Sequence, residues 1–109
     1  MTVIASDKSF VDYVTEQLAG AGSIHAKRMF GEYGLFCDGL FFAAICDNQF
    51  FVKITPAGKS SFPSLPKRPP YEGAKEYFLV EDVDDREQMT VLTRLTCESL
   101  RALPKKEEE

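Results

Sequence analysis

The side chains best suited to chemistry in this sequence are its single histidine, His25, and three cysteines, Cys37, Cys46 and Cys97. A Ser–His or Cys–His engine needs the imidazole within reach of its nucleophile and a third group to orient it, and no nucleophile motif flanks any of these residues. A zinc site usually takes two ligands from one tight C-x₂-C turn, whereas these cysteines are separated by long gaps. Glu81, Asp82, Asp84 and Asp85 have the carboxylates of a hard-cation site. At the start of a helix, however, such acids serve as caps and complement the positive end of the helix dipole. Gly20-Ala21-Gly22 has His25 where a dinucleotide fingerprint needs its third glycine. Gly58-Lys59-Ser60 resembles the end of a phosphate loop, but Lys53 stands where that motif needs its first glycine. The expectation is a protein that is not an enzyme, with no catalytic residue, metal or cofactor.

Lys27 and Arg28, with His25 close by and Lys53 placed to join them across a sheet, form the one compact basic cluster. Such a cluster suits an acidic protein surface or a phosphate; a solvated basic turn is the plainer alternative. Met29 and Phe30 follow directly as an apolar anchor, and Gly31 ends the corner. Lys27, Arg28, Met29, Phe30 and Gly31 are therefore the candidate protein-interaction residues. The formal net charge of −4 provides no long-range attraction for nucleic acid or anionic lipid, so no direct nucleic-acid binding and no membrane contact are expected.

The elements that must position these residues follow from spacing. Phe10, Val11, Val14 and Leu18 recur at helical intervals, with Ser6 and Asp7 ahead and Gly20 and Gly22 behind, which predicts an amphipathic helix over 6–20. Residues 33–37, 40–46 and 50–54 read as β-rich runs separated by Asp38-Gly39 and Asp47-Asn48. Asp-Gly favours a two-residue type I′ turn because glycine accepts positive φ and aspartate tolerates it, so a three-strand meander is predicted. Five of the six prolines lie between Pro56 and Tyr71 and rule out a continuous strand or long helix there, leaving a short helical turn over 56–62 and then a loop. Residues 76–80 read as a fourth strand. Met89, Leu92, Leu95, Leu100 and Leu103 then form a helical stripe stopped by Pro104.

The predicted order is αβββ, a short helical turn, then βα. This is a two-layer α+β domain with an antiparallel sheet of three to four strands and helices at both chain ends. The 109 residues, 44% of them hydrophobic and nine of them Phe, suffice for one core over 1–104, with 105–109 a charged tail. The run 40–46 is apolar on both alternating sets, so a helix or a second subunit is needed on each face, and a homodimer is one expectation. A pocket lined by Phe36, Phe41, Phe42, Phe50 and Phe51 is another, making a stand-alone small-molecule or peptide-binding domain the alternative function. No leader pattern opens the sequence, no apolar run nears the roughly 18 residues needed to cross a bilayer, and an odd set of scattered cysteines reads as free thiols. Together these features predict a cytoplasmic protein.

The run from Arg28 to Ala43, Arg-Met-Phe-Gly-Glu-Tyr-Gly-Leu-Phe-Cys-Asp-Gly-Leu-Phe-Phe-Ala, resembles the signature of the TfoX (Sxy) amino-terminal domain family. Residues 50–53 resemble that family's next strand, and 77–80 its late aromatic strand. The resemblance implies an α+β domain from regulators of DNA transformation and competence. It also implies a non-enzymatic, coactivator-type role exercised on a protein partner such as the cyclic-AMP receptor protein. The sequence ends after the closing helix, so the carboxy-terminal domain of longer members is expected to be lacking.

Overall fold

A computed structural model describes residues 6–29 and 31–102. Phe30, Leu103, the Pro104 stop and the 105–109 tail lie outside the described residues. Helix α1 spans Lys8–Gln17 and continues through a 3₁₀ turn at Ala19–Ala21. Strands β1 (Ile24–Met29), β2 (Glu32–Cys37), β3 (Leu40–Cys46) and β4 (Gln49–Val52) follow. After them come α2 (Pro56–Ser61), β5 (Lys67–Arg68), β6 (Tyr77–Val80) and the closing helix α3 (Arg86–Ala102). All strand pairs are antiparallel, in the order β1-β2-β3-β4-β6-β5. The fold is α+β as expected, but among the described residues the sheet has six strands rather than three or four.

Turn chemistry sets the register. Asp38 and Gly39 lie at φ 51° and 87°, and Asp47 and Asn48 at 54° and 55°, the paired left-handed conformations of type I′ hairpins. Gly31, at φ 78°, supplies a left-handed residue at the corner between β1 and β2. The two extra strands correct the sequence reading. Residues 24–29, to which the sequence reading assigned no strand, form β1, and a two-residue strand, β5, lies within the proline-rich stretch. Proline is tolerated there because β5 is an edge: the Pro66 carbonyl accepts from the Leu79 N–H at 2.8 Å.

Both long helices and α2 pack on one face of the sheet. Val11, Val14, Leu18, Met89, Leu92 and Cys97 meet Leu35, Phe42, Ile45, Phe50, Phe78 and Val80 in one buried cluster. A β-bulge makes this possible. Leu35 pairs with Ala43 but Phe36 with Phe41, so Phe42 is the extra residue and turns toward the helices beside Ala43. The stripe on α3 also differs from expectation. Thr93, Thr96 and Cys97 are buried, while Leu95 is half-buried. Thr96 satisfies its hydroxyl by donating to the Leu92 carbonyl at 2.8 Å.

Short α2 is fixed by its cap. The Gly58 N–H donates to Thr55 Oγ1 at 3.0 Å, and Pro56 opens the helix. A Cβ on Gly58 would stand 2.9 Å from Phe78 Cε2 and 3.2 Å from Thr55 Oγ1, so this glycine allows the helix to sit directly on the core. Gly58→Ala is expected to cost about 1–3 kcal/mol through overpacking. Guanidinium unfolding would show this as a lower midpoint, whereas an unchanged midpoint would mean that Phe78 moves aside freely.

Candidate functional site

The open face of the sheet, opposite the helices, brings together much of what the sequence singled out. Antiparallel pairing sets His25 opposite Phe36 and Lys27 opposite Gly34, and side chains alternate between faces. His25, Lys27 and Met29 therefore share the open face, while Ile24, Ala26 and Arg28 turn to the helix side. The Lys27 ammonium lies 5.1 Å from the Phe36 ring centroid, Phe36 and Phe41 are 5.4 Å apart, and the Lys53 ammonium lies 4.8 Å from Phe41. The result is a row of cation, ring, ring and cation running from β1 across β2 and β3 to Lys53, the residue just after β4. Each such contact is worth about 0.5–1 kcal/mol where exposed.

The basic corner is thus split, which corrects its reading as one compact cluster. Lys27 does line up with Lys53, but Arg28 lies on the other face, 5.2 Å from the Tyr33 ring. A strand places neighbouring residues on opposite faces, whereas a turn would have kept them together. Met29 is half-buried and Lys27 and Arg28 are exposed. The two ion pairs seen among the described residues, Lys8–Asp12 and Arg101–Asp38, involve neither cation of the corner.

Among the described residues strand β1 pairs only with β2, so its other side is an unpaired sheet edge there. The Asp38 N–H donates to the Ser23 carbonyl at 2.9 Å, which marks Ser23 and Asp38 as a hydrogen-bonded pair. Because such pairs alternate along an antiparallel ladder, His25, Lys27 and Met29 direct their backbone groups to β2. The N–H and C=O groups of Ile24, Ala26 and Arg28 point outward from the sheet. This edge was missed in the sequence because two cations and a histidine interrupt its alternation. Such residues are common on exposed edges, where they discourage unwanted pairing; the two-residue spacer ending in Gly31 was the available signal.

The five phenylalanines expected to line one pocket are divided. Phe42 and Phe50 are in the helix-side core, and Phe51 lies beneath the open face with Cys46, Tyr77 and Leu79. Phe36 and Phe41 remain on the open face. There a groove of about 600 Å³ runs between the sheet and the segment carrying Pro70, Tyr71, Ala74 and Lys75, with Phe41 as the one phenylalanine among the described residues of its wall. Part of the second face of β3 is therefore covered by the chain's own 70–77 segment.

His25 is exposed, its Nε2 3.3 Å from Ser23 Oγ. All three cysteines are free and buried. Burial, with help from Glu32 and Asp47, pushes the Cys46 thiol up to about 11. Cys97 is also raised, by burial and then by its hydrogen bond with Cys37. Among the described residues no three His, Cys, Asp or Glu side chains gather as metal ligands, and no helix is long and apolar enough to cross a membrane. Two acids of the run near α3 serve structure: Asp85 accepts from the Gln88 N–H at 3.1 Å, and Asp84 accepts from the Tyr13 hydroxyl on α1. Glu32 is similarly occupied, bridging the Ser6 and Asp47 N–H groups at 2.9 Å each.

A protein of Spirochaeta aurantia, described as an uncharacterized 12.7 kDa protein in the trpE 5′ region, is 34% identical over 100 residues, covering 91% of this chain and 87% of that protein. The family model for the TfoX N-terminal domain matches residues 16–100, from the end of α1 through nearly all of α3. With the β1–β2 corner, the Asp38-Gly39 hairpin and the aromatic β6 strand all inside the matched span, the chain belongs to the TfoX N-terminal domain family.

Proposed function

We propose that this chain is a non-enzymatic regulatory module of the TfoX type that binds a protein partner along the free edge of β1. The family membership supports a regulatory role connected with competence. The observation that carries the reading is the edge itself: three outward backbone positions flanked by Lys27 and Arg28, exposed on opposite faces. An extended segment of the partner adds a strand there through main-chain hydrogen bonds. The two cations, one on each face, then favour acidic side chains alternating along that segment. A net charge of −4 favours a protein over a duplex as the direct contact, and a transcription regulator such as the cyclic-AMP receptor protein is the partner class this reading names.

The test is affinity capture from nuclease-treated host lysate, comparing wild type with the Lys27→Ala/Arg28→Ala double variant. Both side chains are exposed, so the variant is expected to stay folded, losing only their ring contacts. The expected result is a transcription regulator or RNA polymerase that survives nuclease and is depleted at least tenfold by the variant. Equal capture by both proteins, or no enrichment by the folded wild type, would reject the reading.

A further inference from the structure

The groove on the open face is distinct from the β1 edge in both shape and charge. Its volume of about 600 Å³ falls in the range of small-molecule sites and is too small for a folded partner. Its floor is low because Gly34 has no side chain: a Cβ there would overlap Met29 Sδ and stand 2.9 Å from Phe41 Cε1. Met29 and Phe41 can therefore lie flat over the strand, with Ala44 beside them and Tyr71, 56% exposed, on the opposite wall.

The two ends of the groove differ in charge. Lys75 lines one end, and Lys53 sits against the Phe41 ring beside it. Burial, and after it the charge of Lys75, pushes the Lys53 pKa down. Neither takes part in an ion pair among the described residues. A half-buried cation next to a second cation is a local cost that a bound anion would relieve. Glu32 and Asp47, joined by the Asp47 N–H to Glu32 hydrogen bond just past the end of β3 while Phe41 lies at its start, line the groove away from Lys53 and repel an anion there, which fixes the ligand's direction. Burial keeps the Cys46 thiol and Tyr77 phenol protonated at neutral pH, so neither adds negative charge to the wall.

The geometry points to a binding site for a small organic anion with a flat apolar body, of the aromatic carboxylate or sulfonate class. Its acidic group lies between Lys53 and Lys75, and its body lies over Phe41 and Ala44 against Tyr71. This site is separate from the partner edge, and either can exist without the other.

The probe is 8-anilinonaphthalene-1-sulfonate, titrated against the native protein with its fluorescence as readout, alongside the uncharged N-phenyl-1-naphthylamine. Circular dichroism establishes that each variant is folded. One saturable site is expected for the sulfonate. Its affinity should fall at least tenfold in Lys53→Gln/Lys75→Gln, with the uncharged probe changed less than threefold, and both probes should weaken in Ala44→Leu, which fills the floor. Non-saturable binding, equal sulfonate affinity in the double lysine variant, or equal loss of both probes in that variant would overturn the proposal. Undiminished binding to Ala44→Leu would place the probe elsewhere and overturn it as well.

Discussion

Phe42→Ala is expected to lower the unfolding free energy by about 3–5 kcal/mol, the usual cost of emptying a phenylalanine site in a packed core. Phe42 is fully buried and is the extra residue of the β3 bulge, directed between the helices and the sheet. A domain of this size has about 5–15 kcal/mol of stability in total, so the variant should approach the edge of folding. Guanidinium unfolding should give a much lower midpoint with an unchanged slope. Phe36→Ala provides the contrast. Phe36 is half-buried on the open face, where its loss removes a ring contact and leaves no closed cavity, and about 1 kcal/mol is expected. Equal costs for the two substitutions would mean that the bulge does not divide the aromatic residues between faces as described.

Raising the pH above 9 should destabilise the protein steeply. Cys46 is pushed up to about 11 by burial, and Cys97 is raised by burial and by Cys37. The unfolded thiols ionise near an ordinary value of about 8.5, so above that pH the unfolded state binds fewer protons than the native one. Stability is therefore fully present below about pH 8.5 and falls as pH rises toward the folded values, by up to about 1.4 kcal/mol per pH unit for each such thiol. Denaturant titrations at pH 7.5, 9 and 10 should show this decline, with a shallower slope in Cys46→Ala. Stability that stays flat from pH 8 to 10 would mean that the thiols are solvated in the native state.

The parts of the fold legible in the sequence were those with a local physical cause. Asp38-Gly39 announced its turn because few other pairs accept two left-handed residues in succession. The apolar spacing of α1 and the aromatic runs of β3 and β6 reflected burial. Strand β1 gave no such signal, because an edge strand half covered by solvent need not alternate apolar with polar residues. Missing it turned Lys27 and Arg28 into neighbours on a turn, when a strand sets them on opposite faces. The division of the phenylalanines was hidden for a different reason. The bulge at Phe42 shifts the alternation by one residue, and a period-two reading of 40–46 assigns the wrong face beyond it. On α3, threonine and cysteine fill positions a hydrophobicity count passes over, because Thr96 returns its hydroxyl to the helix. The groove depends on the 70–77 segment crossing the open face, a long-range arrangement with no local signature.

Ala26→Pro isolates the part that the β1 edge plays in partner binding. The Ala26 N–H points away from β2 toward the free edge, so proline removes no bond of the sheet, and edge strands tolerate it. It does remove a donor that an added partner strand would use, and its ring obstructs that strand's approach. The measurement is nuclease-resistant capture of a transcription-regulator partner by wild type and by Ala26→Pro, with circular dichroism on both. A folded variant that no longer captures the partner is expected. A folded Ala26→Pro variant that captures it as well as wild type would contradict the claim that the β1 edge is the contact surface.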